Sequence, residues 1–126
     1  MELKDAIHIY QTHYSQIDLV WGYFSTVSIA ILGFTLGTER ITQKKLEFRA
    51  VQFGYLIFSM GNFSALYSGQ SDLIKINNFI ILLQVDNELV IDFSPIGLMG
   101  LSSFYWAVVA SMLIGLQYVY KSRIRP

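Results

Sequence analysis

The residues able to perform acid-base or metal chemistry are few in this chain of 126 residues. His8 and His13 are its 2 histidines, and a separation of five turns them to different sides of a helix. Helical metal-binding pairs instead use a spacing of four. Cysteine is absent, which excludes thiol catalysis and zinc-thiolate sites. No serine lies in a nucleophile elbow, and no glycine-rich phosphate loop is found. We therefore predict a non-enzymatic protein with no metal or cofactor.

Hydroxyl and amide side chains within apolar stretches form a second group of candidates. Ser25, Ser28 and Thr35 share one face of a predicted helix, and Asn62 lies in the next apolar stretch. Such hydroxyls could line a narrow aqueous pathway, but in membrane helices they more often bond the backbone one turn back. An unpaired amide in hydrocarbon is costly, so we expect Asn62 to hydrogen-bond a neighbouring helix. The four residues are thus candidate interhelical contacts, with pore lining as the alternative.

Three apolar stretches carry these residues. The chain is 53% hydrophobic and 14% charged, well below the charged share of about 25% in soluble domains. Each stretch is long enough to be a transmembrane helix, so we predict an all-α integral membrane protein with a single membrane domain, 1–126. A short amphipathic helix, Leu3–Gln16, is expected before the first span. The predicted spans are about 17–36, 48–67 and 96–120, with a basic inner loop at 38–47, an outer loop at 69–95 and a basic tail at 121–126.

Charges are sorted along the sequence into two groups. The inner loop, extended to Arg49, and the tail hold seven of the 9 Lys and Arg residues: Arg40, Lys44, Lys45, Arg49, Lys121, Arg123 and Arg125. The N-terminal segment and the outer loop hold seven of the 9 acids: Glu2, Asp5, Asp18, Asp72, Asp86, Glu88 and Asp92. Because basic loops stay on the cytoplasmic side, we predict the N-terminus outside and the C-terminus in the cytoplasm of a plasma (inner) membrane. The basic groups are expected to contact anionic lipid headgroups rather than nucleic acid.

The outer loop permits two interpretations over residues 76–93. The runs 79–85 and 89–93 are rich in β-branched and apolar residues and flank Asp86 and Asn87, a pattern that predicts a β-hairpin. Apolar residues from Leu73 to Leu83 are also helically spaced, which predicts a short interfacial helix instead. The hairpin is the preferred interpretation of the two.

Small residues recur four apart on all three predicted spans. Lipid offers no hydrophobic drive for helix association, so small residues that permit close approach mark packed faces. The selected helix-packing residues are Gly33, Gly37, Gly61, Ala65, Ser103, Ala107, Ser111 and Gly115. These faces are expected either to pack the three helices of one subunit together or to contact another chain.

The absence of ionisable residues from the centres of the predicted spans disfavours a pump or an ion-coupled transporter. The leading functional prediction is a small homo-oligomeric membrane protein, with a channel or pore as its specific form. The alternative is an accessory or anchoring subunit of a larger membrane complex. The expected partners are therefore the lipid bilayer and either further copies of the chain or another membrane subunit.

Overall fold

The computed structural model describes residues 2–39, 43–84 and 91–124, and these residues form three helices with their connections. We name the helices α1 (Leu3–Gly37), α2 (Lys45–Leu82) and α3 (Leu98–Ile124). None of the described residues is in a strand. The predicted all-helical class is confirmed. The predicted amphipathic helix Leu3–Gln16 is not a separate element, because α1 runs through it into the first apolar stretch without a break.

Helices α1 and α2 pack antiparallel to each other and form most of the interhelical contact. The buried residues of α2 from Tyr55 to Ile80 recur at steps of three and four, as in the seam of a coiled coil. Gly69 of α2 lies against Ile17 of α1, so closely that a Cβ atom added there would stand 2.9 Å from the Ile17 Cγ1 atom. This glycine permits the close approach of the two helices.

Helix α3 packs mainly on α2. Tyr105 is fully buried near its middle, and Tyr120 near its end stacks on Phe48 with ring centroids 4.4 Å apart. We name the two ends of the bundle by their charge. The acidic end contains the start of α1, the end of α2 and the start of α3. The basic end contains the opposite terminus of each helix. Among the described residues of the two charge groups, the acids Glu2, Asp5, Asp18, Asp72 and Asp92 lie toward the acidic end, and the cations Lys44, Lys45, Arg49, Lys121 and Arg123 toward the basic end.

Two of the helices, α1 and α3, are long and apolar enough to cross a membrane. Only 17% of the most apolar stretch of each is buried inside the bundle, so their apolar side chains mostly face outward. Helix α2 does not meet the same criterion, because polar residues such as Gln52 and Asn62 interrupt its apolar positions. At about 1.5 Å per residue, α1 and α2 are roughly 50 to 57 Å long, against about 30 Å for a bilayer core.

The predicted β-hairpin is not confirmed. Residues 79–82, which the prediction placed in its first strand, are the last residues of α2, and the turn at Asp86 and Asn87 lies outside the described residues. The helical spacing of Leu73 and Ile80 is the pattern that the fold uses, since both are buried against the core. The alternative, a short separate helix, is not formed either, because α2 continues unbroken to Leu82.

Residues 91–97, which we call the return segment, run back along α2 before α3 begins. Three amide side chains spaced seven residues apart hold this segment, two on α2 and one, Gln84, just after its end. Gln84 accepts a hydrogen bond from the Ile91 amide (2.7 Å) and donates one to the Ile91 carbonyl (3.0 Å). Asn77 accepts from the Phe93 amide (3.0 Å), and Gln70 donates to the Ile96 carbonyl (2.9 Å). The backbone of the return segment is thus hydrogen-bonded by side-chain amides, although the segment forms no helix or strand.

Candidate functional site

A polar cluster lies inside the bundle between the three helices. The hydroxyls of Ser28 in α1 and Tyr55 in α2 share a hydrogen bond of 2.8 Å. The Tyr105 hydroxyl of α3 donates to the Ser59 carbonyl at 2.6 Å and lies 3.5 Å from the Asn62 amide nitrogen, at the outer limit for a hydrogen bond. These contacts link α1 to α2 and α2 to α3, in the way that polar side chains hold helices together in hydrocarbon.

Aromatic rings surround Tyr105 and exclude other polar groups from it. The Phe24 ring is 4.5 Å away between centroids, the Phe63 ring 5.3 Å and the Trp21 ring 5.9 Å. Trp106 adds an edge-on contact at 5.5 Å. Pairs of this kind stabilise a core by about 0.5–1.5 kcal/mol beyond their burial. The polar cluster is therefore enclosed by a rigid aromatic shell.

The four candidate interhelical or pore-lining residues do not share one surface. Ser28, Thr35 and Asn62 are buried within the three-helix bundle, whereas Ser25 is exposed. The hydroxyls of Thr35 and Ser59 are buried and have no hydrogen-bond partner among the described residues. Ser28 and Asn62 thus contact neighbouring helices of the same chain, and only Ser25 could contact solvent or another molecule.

The candidate helix-packing residues lie almost entirely on the outside of the bundle. Seven of the eight are exposed and Gly115 is half-buried: Gly33, Gly37, Gly61, Ala65, Ser103, Ala107 and Ser111 are the exposed ones. A Cβ atom added at Gly33, Gly37, Gly61 or Gly115 would meet no atom of another residue within 4 Å. Gly69 is the contrasting case, since it packs on Ile17. The selected small residues are therefore not what brings the helices of this chain together.

The small residues of α3 border a groove between α3 and α1. The groove has a volume of about 420 Å³ and is lined by Ala107, Ser111 and Gly115 on one side and Leu32 on the other. The Ser111 hydroxyl donates to the Ala107 carbonyl one turn back at 2.8 Å, which satisfies its hydrogen within its own helix. This face therefore offers close packing rather than hydrogen bonding to whatever lies against it.

The two histidines lie on the part of α1 near the acidic end. His8 is exposed, and the His13 ring is hydrogen-bonded through Nδ1 to the Ile9 carbonyl at 3.1 Å. Within residues 2–39, 43–84 and 91–124, no three His, Cys, Asp or Glu side chains are grouped to hold a metal ion. Tyr10, between the histidines, stacks on Phe93 of the return segment at 4.3 Å, and burial raises the pKa of its hydroxyl.

Two connections were not anticipated from the sequence. One is the set of amides that holds the return segment, for which the seven-residue spacing of Gln70, Asn77 and Gln84 is a visible signal. The other is at the basic end, where the Arg123 guanidinium donates to the carbonyls of Thr35 (2.6 Å), Leu36 (3.0 Å) and Thr38 (2.8 Å). A cation beside these carbonyls also offsets the negative end of the α1 dipole. The sequence predicts for Arg123 a role in topology and contact with lipid headgroups, but not this contact with α1.

Comparisons of the chain with protein-family models, with curated proteins and with solved structures gave no match.

Proposed function

We propose that the chain is a three-span integral membrane protein that works as a homo-oligomer. Support for membrane insertion comes from large apolar side chains that face outward on all three helices, among them Ile29, Phe53 and Ile114. In water this much exposed apolar surface would be a liability, whereas in lipid it is the favourable arrangement. Helix α2 is the third span in this proposal, since Asn62 and Gln52 have partners on α3 that reduce the cost of inserting them.

The proposed orientation has the acidic end outside and the basic end in the cytoplasm of a plasma (inner) membrane. The cations of the basic end, including Lys44, Lys45 and Arg49, are exposed there and can contact lipid headgroups. Because α1 and α2 exceed a bilayer core by about 20 Å or more, they would project from the outer surface as a pair of helices. The return segment would lie on that projection.

Self-association is supported by one observation above all, which is that the small residues face away from their own bundle. A helix face of small residues lets another helix approach closely and gain van der Waals contact that lipid chains cannot match. The face of α3 around Ala107 and Ser111 is the best candidate, because it borders a groove that a second helix could enter. A channel between subunits is the more specific form of this proposal, with Ser25 as its exposed hydroxyl.

An accessory role in a larger membrane complex is the second candidate. The observation in its favour is the projecting part of α1 and α2 with the return segment against it, which together carry the exposed Asp5, Asp72 and Asp92. A rigid acidic projection is suited to docking a basic partner through charge complementarity. In this case the small-residue faces would pack against helices of the partner.

Measuring the mass of the purified chain in lipid nanodiscs tests the proposal. We expect one closed homo-oligomer, and we expect Ala107→Leu to weaken its assembly by roughly tenfold, since overpacking a tight helix contact costs about 1–3 kcal/mol. Ile114→Leu is the matched control, because Ile114 is already large and exposed. Both variants should keep the parent's helicity by circular dichroism. A monomeric parent would contradict self-association, and a stoichiometric companion chain would favour the accessory role.

A further inference from the structure

A second groove runs between α2 and α3 at the basic end, away from the small-residue face of α3. One part has a volume of about 550 Å³ and is lined by apolar side chains that include Ala50, Phe53, Leu56 and Leu113. It continues toward the end of α3 in a part of about 450 Å³, which shares Arg49, Gln52 and Leu113 with the first. The two parts of the groove therefore adjoin each other, the first lined mainly by apolar side chains and the second mainly by polar ones.

The polar part of the groove holds two cations and two amides. Arg49 of α2 and Lys121 of α3 line it, together with Gln52 and Gln117, whose side chains hydrogen-bond each other at 3.1 Å. Among the residues that the structure describes, no carboxylate lines either part of the groove. Among the described residues neither Arg49 nor Lys121 forms an ion pair, whereas Lys44 lies 3.8 Å from Glu47. The groove thus places two cations that have no ion-pair partner among the described residues beside its apolar part.

This arrangement selects a ligand with an anion at one end and a long apolar chain at the other. We propose that the groove binds one anionic phospholipid, with its phosphate between Arg49 and Lys121 and an acyl chain along Phe53 and Leu56. Basic pockets between membrane helices on the cytoplasmic side are suited to such headgroups. Tyr118 lines the same part of the groove, at the depth where phenols meet headgroups. The inference rests on the proposed membrane insertion.

A transmembrane helix of a second copy fits this groove less well. Close helix approach needs small residues, but Phe53 and Ile114 at the groove are large and exposed. A helix seated there would also cover Arg49 without supplying an anion, and burying an unpaired charge is costly. A lipid covers the apolar surface and neutralises the charge at the same time.

The test measures lipid binding by the full chain. The protein is delipidated in neutral detergent and titrated with dioleoylphosphatidylglycerol or dioleoylphosphatidylcholine. Bound lipids are counted by native mass spectrometry. We expect one phosphatidylglycerol to bind at least about tenfold more tightly than phosphatidylcholine, since each cation near a headgroup contributes about fivefold. Arg49→Gln combined with Lys121→Gln should remove this preference. Lys44→Gln combined with Lys45→Gln is the matched control, because these exposed cations belong to the same end but do not line the groove, and it should retain the preference.

Two further measurements distinguish binding of a whole lipid from binding of its phosphate alone. Ala50→Trp should fill the apolar part of the groove and weaken the binding of both lipids while leaving every charge in place. Inorganic phosphate should not displace the bound phosphatidylglycerol. Equal binding of the two lipids by the parent, an equal loss in the control variant, an unaffected Ala50→Trp variant or displacement by phosphate would each overturn the proposal. A chain that stays soluble without detergent and fails to enter nanodiscs would instead contradict membrane insertion itself.

Discussion

The acidic and basic ends of the bundle solve the same problem with different chemistry. Backbone groups near helix ends lack helical partners and must find others when they lie against the protein. At the acidic end, neutral amides such as Asn77 and Gln84 serve the return segment. At the basic end, the single charged side chain of Arg123 serves three carbonyls of α1 and its C-terminal connection. Several amide hydrogen bonds, one of them to the Asp92 carboxylate, are thus contrasted with the hydrogen bonds of a single guanidinium.

This contrast predicts that the basic end is the more sensitive to a single substitution. Arg123→Met removes every guanidinium contact at once while keeping much of the side-chain length. Hydrogen bonds to charged groups contribute about 1.5–3 kcal/mol, so we expect a loss of about 2 kcal/mol in the free energy of unfolding, measured by denaturant titration in detergent. Lys121→Met is the control and should change it by less than about 0.5 kcal/mol, as for most surface substitutions. Equal losses in the two variants would show that Arg123 stabilises the protein only through its positive charge and not through its hydrogen bonds to the α1 carbonyls.

A smaller loss of stability is expected from a single substitution at the acidic end, because several amides hydrogen-bond the return segment there. Asn77→Leu leaves the Phe93 amide without its partner and removes one of the hydrogen bonds to the Asp92 carboxylate, but Gln70 and Gln84 still hold the return segment. We expect a loss of about 1 kcal/mol. Hydrogen exchange at Phe93 should rise by roughly fivefold to tenfold.

Asn78→Leu provides the matched control for this change, since Asn78 is the exposed neighbour in the same helix. It should leave exchange at Phe93 unaltered. Faster exchange across all three helices in Asn77→Leu would instead mean that the amide supports the whole bundle, and the proposed local role would be wrong.

Much of the helical architecture could be predicted from the sequence, because apolar periodicity reports which face of a helix is buried. The ends of elements were harder. Residues 79–82 are all apolar and include two β-branched isoleucines, which favours a strand, yet Ile80 is fully buried in the core and the segment remains helical. Local propensity was overruled there by tertiary packing. The seven-residue spacing of the amides was visible, but its meaning depended on where the chain returns.

The small residues illustrate a different limit. Their spacing identifies a face of each helix, but it cannot indicate whether that face meets a helix of the same chain or something outside. Gly69 packs on Ile17, while Gly61, two turns earlier in α2, meets nothing. Likewise Ser25 and Ser28 were grouped on one face, yet only Ser28 reaches a partner, Tyr55. The distinction requires the rotation of each helix about its axis, which the helix packing determines.

The smallest expected effect is that of lowering the pH, which should affect the acidic end through Asp92 before it affects the basic end. Asp92 accepts hydrogen bonds from the Asn77 amide (2.9 Å) and the Ser94 backbone amide (2.8 Å). These bonds hold the pKa of the Asp92 carboxyl below its usual value of 3.8. Because the folded pKa is the lower one, the stabilisation is present above the usual value and is lost as the pH falls through the folded pKa.

We therefore expect acidification to loosen the return segment before it affects the basic end. The Asn77 side-chain amide resonance, followed by NMR in detergent, should shift in the pH range below about 3.8 in the parent protein. In Asp92→Asn the same resonance should not titrate with that carboxyl, because position 92 then carries no ionisable group. Carbonyl resonances at Thr35, which reports on Arg123, should stay constant over the same range. If Thr35 shifts together with Asn77, the two ends are coupled through the bundle, and their independence, on which the comparison depends, would have to be abandoned.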